Sequence, residues 1–125
     1  MHFSEFLNRV IDDGIAAARE DYAKPAQKRK LEGSIAGFEA CRNVRPLHAH
    51  QDLTELLDAA RTSTHAASLG DEREDYWWFR CYELEVEWIC NCVSAVLINE
   101  GKPPIITPTA RGVLKAADII GVRAS

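Results

Sequence analysis

The stretch from Tyr76 to Ile98, YWWFRCYELEVEWICNCVSAVLI, is the longest apolar run in the chain and contains neither proline nor glycine. At 100° per residue, Arg80, Glu83, Glu87, Asn91 and Ser94 fall in one narrow polar stripe, and nearly every other position is apolar. A helix that is apolar around most of its circumference has to be surrounded by others. Six of the ten aromatic residues lie between Tyr76 and Trp88. Burying each stabilises by roughly 2–3 kcal/mol. The expected fold is therefore all-α, a compact bundle of about five helices with helix 71–100 central.

One residue departs from the stripe. Glu85 falls on the opposite side, in the arc made by Trp78, Cys81, Tyr82, Trp88, Ile89 and Cys92. A carboxylate there must find a partner, accept a raised pKa, or reach water at a groove or interface.

Outward from this segment, 125 residues suit one domain over 1–125. Hydrophobic periodicity and breakers place the remaining helices at about 4–23, 26–43, 51–69 and 108–120, beside the central one at 72–99. The first carries Phe3, Phe6, Leu7, Val10, Ile11, Ile15 and Ala18 on one face, with Gly14 in its middle predicting close approach of another backbone. Lys24-Pro25 interrupts it, and the cations Lys24, Lys28, Arg29 and Lys30 follow.

The second helix is expected to bury Leu31, Ile35 and Phe38, a stripe that reaches Arg42. Its other side carries Gly33, Gly37 and Ala40, which lets a neighbouring helix come close. Asp52-Leu-Thr-Glu55 has capping-box spacing for the third helix, which buries Leu53, Leu56, Leu57, Ala60 and Ala67 before Gly70. Asp71 and Glu74 repeat that spacing for the fourth, which Gly101 stops. Thr107-Pro108-Thr109 predicts a cap and first-turn proline for the fifth, with Ala110, Val113, Leu114, Ala117 and Ile120 inward and Gly121 ending it.

No secretory core opens the chain and Val93–Ile98 is too short to span a bilayer, so a soluble cytoplasmic protein without membrane contact is expected. Cys41, Cys81, Cys90 and Cys92 read as reduced, partly buried thiols. Positions 90 and 92 lie roughly 200° apart on a helix and cannot pair with one another or form a knuckle. His48-Ala49-His50 lacks an identifiable third ligand, so neither metal nor cofactor is expected. No Glu-x-x-His supports a di-iron bundle, and the carboxylate set of the all-α nucleotide pyrophosphohydrolases is incomplete.

The blocks Asp75–Cys81 (DYWWFRC), Glu85–Asn91 (EVEWICN) and Pro104–Gly112 (PIITPTARG) resemble those of small helical proteins of bacteriophage or prophage type. The resemblance implies a viral or mobile-element setting and a protein that works by binding. It brings no activity and no functional residue.

Three functions follow. The first is non-enzymatic association, as a homodimer and with an unidentified protein partner, in an accessory or inhibitor-type role. Its surface would be the aromatic cluster Tyr76, Trp77, Trp78, Tyr82 and Trp88.

The second is nucleic-acid binding by Lys102, Arg111, Lys115 and Arg123. Residues 1–100 hold 11 basic and 18 acidic side chains, a balance of −7, whereas 101–125 hold 4 and 1, a balance of +3. A basic tail can meet phosphates or lie against its own acidic body. The third is a small-ligand or enzymatic pocket using Glu85, with Arg42 as its partner, the structural form being a buried Arg42–Glu85 pair.

Overall fold

The computed structural model describes residues 2–70 and 73–120, with Arg73 and Glu74 described by their backbone only. Five helices, α1 (Phe3–Asp21), α2 (Lys28–Cys41), α3 (Ala49–Ser68), α4 (Arg73–Asn99) and α5 (Ala110–Ile120), pack on one another, with no strand among the described residues. Short 3₁₀ turns at Pro25–Gln27 and Pro46–His48 lead into α2 and α3. Helix α4 touches each of the other four, and its most extensive partner is α2. Phe6 and Ile11 of α1, Phe38 of α2, Leu53 of α3, Val86 and Ile89 of α4 and Ile119 of α5 share one core. None of the described helices is long and apolar enough to cross a membrane.

The α2–α4 contact is close because α2 presents glycine to it. A Cβ on Gly33 would overlap the Trp78 carbonyl, and one on Gly37 would lie 2.6 Å from the Tyr82 carbonyl oxygen. Both glycines are buried, whereas Leu31 and Ile35 are only partly so. The helix is thus turned to put its small-residue side innermost, since backbone contact there buries more of α4 than an aliphatic ridge held further away. Gly14 also admits a neighbour, but that neighbour is the Phe38 ring and not a second backbone.

The polar stripe of α4 is largely interior. Glu83, Asn91 and Ser94 are buried, and Glu83 takes a short hydrogen bond from Arg80. Ser94 Oγ accepts the backbone N–H groups of Ile105 (3.0 Å) and Ile106 (3.1 Å). Asn91 Oδ1 accepts from Thr109 N and its Nδ2 donates to Thr109 Oγ1, both at 2.9 Å. Thr109 Oγ1 in turn accepts from Gly112 N at 3.3 Å, capping α5. These side chains satisfy the backbone of an extended linker that has no ladder of its own. Gly101, at φ 74°, turns the chain into that linker, and Lys102 N donates to Leu97 O.

The predicted caps shift accordingly. Thr109 replaces Thr107, so α5 begins after Pro108. Helix α3 starts at Ala49, and Asp52 reaches back to the Arg45 backbone N–H (3.0 Å) and guanidinium (2.8 Å) instead of capping. The Arg45 contacts draw the Asp52 carboxyl down to a pKa of about 2. The predicted cap at Asp71 and stop at Gly121 lie outside the described residues.

The rotation of α5 also differs from expectation. Gly112, Ala116 and Ile119 are buried, while Val113 and Leu114 face outward, Leu114 at 71% exposure. Gly112 sits against the Asn91 side chain so closely that a Cβ would overlap it, and the Asn91–Thr109 bonds hold the helix in that rotation. A polar latch overrides the larger aliphatic face.

Candidate functional site

Glu85 and Arg42 are not brought together. Arg42 stands at the C-terminal end of α2, and its guanidinium donates to Glu39 (2.8 and 3.0 Å), Asn8 (3.0 Å) and Asp12 (2.9 Å). It clasps α2 to α1 at the surface, holding the Glu39 carboxyl below its ordinary pKa. The expected charge pair is therefore replaced by a local one. Arg42 follows the end of α2, where its long side chain leaves the apolar stripe and reaches carboxylates on the neighbouring helix.

Glu85 instead borders a groove between α1, α4 and α5. Its neighbours there include Asp21 and Tyr22 of α1, Leu84 and Trp88 of α4, and Arg111 of α5. This part of the groove measures about 310 Å³. A second part, of about 350 Å³, shares Gly14, Ala17, Trp88 and Arg111 and extends past Asp13 to Leu114 and Lys115. The small side chains of α1 at Ala17 and Ala18 line the groove without filling it, and Trp88 lies in both parts.

Among the described residues, no ion pair or hydrogen bond engages the Glu85 carboxylate. Burial pushes its pKa up from 4.5 to about 7, and the negative charge of Asp21 adds to the rise. The neighbouring Tyr22 phenol is pushed up to about 12, mainly by burial, with Cys81 and Glu85 contributing. The Arg111 guanidinium lies over the Trp88 ring, 5.4 Å from its centroid.

The aromatic cluster divides over three places. Trp78 stacks on Tyr82 at 5.5 Å under the Arg29 guanidinium and lines a small recess against α3. Tyr76 and Trp77 meet edge to face at 5.3 Å, with Lys30 Nζ 4.4 Å from the Trp77 ring centroid. Trp88 alone reaches the groove. One continuous aromatic surface is not formed, because residues spaced by one or two positions on a helix point in different directions.

The expected basic patch is also divided. Lys115 Nζ pairs with Asp13 at 2.9 Å, Lys102 with Glu100 at 3.0 Å, and Arg111 covers Trp88. Arg123 lies outside the described residues. The described part of the basic tail thus lies partly against acidic groups of its own chain.

The cysteines are buried free thiols, and burial raises the pKa of Cys90 and Cys92 to about 12. The His50 ring meets the Pro104 carbonyl at 3.2 Å. No cluster of three or more His, Cys, Asp or Glu with metal-ligand geometry occurs among the described residues.

Leu84, at 38% exposure, and Leu114 flank Trp88 along the groove. Neither entered the sequence-derived surface. Leu84 looks like any core leucine in an apolar run, and Leu114 lies on the face of α5 that periodicity turns inward. No protein-family model, curated protein or solved structure matches this chain.

Proposed function

We propose that this protein acts without catalysis, by protein–protein association through the α1–α4–α5 groove, in the accessory or inhibitor-type role of a phage or bacterial protein. The observation that carries this reading is the rotation of α5, which leaves Leu114 exposed beside Trp88 and Leu84. A large apolar side chain held out of the core beside a half-open tryptophan is the composition of an interface centre. Self-association into a homodimer is part of the same reading.

A catalytic reading has only the acids Glu85 and Asp21 and the Tyr22 phenol to draw on, and no nucleophile–base hydrogen bond joins them among the described residues. Nucleic-acid binding is weakened by the engagement of Lys102, Arg111 and Lys115 within the chain.

The test is the double substitution Leu84→Glu/Leu114→Glu, compared with the parent by light scattering and by co-purification from the native host. Loss of dimer or of co-purifying protein, with the helical circular dichroism unchanged, is expected. A parent that is strictly monomeric at tens of micromolar and captures nothing specific refutes the reading.

A further inference from the structure

The α1–α4–α5 groove has a polarity that narrows what can occupy it, an inference that rests on the association reading. At one end Glu85 and Asp21 place two acids beside Tyr22, Phe38 and Trp88. Glu85 has no cation of its own among the described residues. Arg111, the cation lining the same part of the groove, lies over the Trp88 ring. At the other end the lining turns aliphatic at Val10 and Leu114, and Lys115 there is paired with Asp13. Among the residues lining the Glu85 end two acids face one cation, Arg111, so the charge in excess there is negative.

We propose that this groove takes a segment of a partner protein that inserts a lysine or arginine side chain toward Glu85 and Asp21 and lays flanking apolar side chains along Trp88 and Leu114. A long basic side chain suits the site because its aliphatic stem packs on aromatic rings while its head reaches the carboxylates. The two adjoining parts of the groove form a course along α1, which suits a segment and exceeds a lone amine.

Insertion of the cation ionises Glu85, so binding releases a proton near neutral pH. The titratable and charged groups facing Glu85 are Asp21 and Tyr22 from α1, Cys81 on its own helix and Arg111 from α5; α2 contributes the uncharged Phe38.

The test uses two synthetic amphipathic helices as probes, one of leucine and lysine and one of leucine and glutamate, titrated into the intact protein. Tryptophan fluorescence reports binding, and ¹³C NMR of labelled glutamate reports Glu85 ionisation. The lysine helix is expected to bind saturably, to move the Glu85 titration to lower pH, and to lose about tenfold in affinity in Glu85→Gln, equivalent to about 1.4 kcal/mol for a charged hydrogen bond. Glu55→Gln, on α3, should bind as the parent does.

Equal binding of both helices, equal loss in Glu55→Gln, or no loss in Glu85→Gln overturns the proposal. Host capture that still depends on Leu84 and Leu114 after such a result removes the cationic segment and keeps the association reading; a monomer with no capture removes both. A homodimer dissociated by Glu85→Gln would make a second copy the occupant and overturn the proposed partner segment.

Discussion

Two surfaces of α4 are used in opposite ways. Toward α2 it meets Gly33 and Gly37 almost backbone to backbone, leaving no room for even a methyl group. Toward α1 and α5, small residues also border it, at Ala17 and Ala18, yet the space beside them is an open groove next to Trp88. Small residues do not by themselves determine closeness. Where a second helix can drop into the space they make a seam, and where α5 is held aside by its own latch they make a groove.

The largest effect should come from filling the seam. Gly33→Ala/Gly37→Ala raises helix propensity by about 1 kcal/mol per site, but overlap with the Trp78 and Tyr82 carbonyls cannot be relieved by a rotamer change. A net loss of about 2–4 kcal/mol is expected in urea unfolding. Neutral or improved stability would show that the seam is looser than described.

The latch that keeps the groove open comes next. Asn91→Ala removes both contacts to Thr109 and leaves the Thr109 backbone N–H without its acceptor, at a cost of about 2 kcal/mol. Hydrogen exchange should accelerate first at the amides of Thr109 and Gly112. Uniform acceleration across all helices would argue that Asn91 acts through the core and not through the latch.

Glu85 offers a pH-dependent test of the same groove. Its folded pKa lies above the unfolded value, so the fold prefers the protonated acid. The destabilisation is absent below about pH 4.5, where both states are protonated. It grows between pH 4.5 and 7 as the unfolded state loses its proton first, and it is complete above pH 7. Glu85→Gln should therefore stabilise the protein at pH 8, by about 1–2 kcal/mol after allowing for solvent at the groove mouth, and change nothing at pH 4. A constant difference across that range would place Glu85 in ordinary solvent.

The smallest effect is expected at the groove's exposed pair. Lys115→Ala removes the contact to Asp13 and should cost under about 1 kcal/mol, fading with added salt. A loss of several kcal/mol would mean that this ion pair, and not Asn91, holds α5 in place.

Much of this architecture was legible in the chain. The unbroken apolar run at Tyr76–Ile98 demanded a central helix, and the apolar repeat from Phe6 to Ala18 predicted the inner face of α1 correctly. The small-residue side of α2 was also visible, though not that it would displace Leu31 and Ile35 from the innermost position. The site was less legible. Glu85 stands out because a carboxylate interrupts an apolar arc, but the apolar stripe alone points to Arg42 as its partner, and a side chain that long goes where its acids are.

By itself the sequence determined helix content, the central place of α4, Glu85 as an anomaly, and the breakers at Pro25, Gly101 and Pro103-Pro104, because periodicity and backbone restriction act over a few neighbouring residues. Only the tertiary structure decided the rotation of α5, the turning inward of Asn91 and Ser94, and the opening of a groove lined by Leu84, Trp88 and Leu114. Those depend on hydrogen bonds across 11 to 18 residues of chain. Two buried polar side chains prevailed there over a wider aliphatic face, since an unpaired buried polar group costs as much as an exposed leucine forgoes.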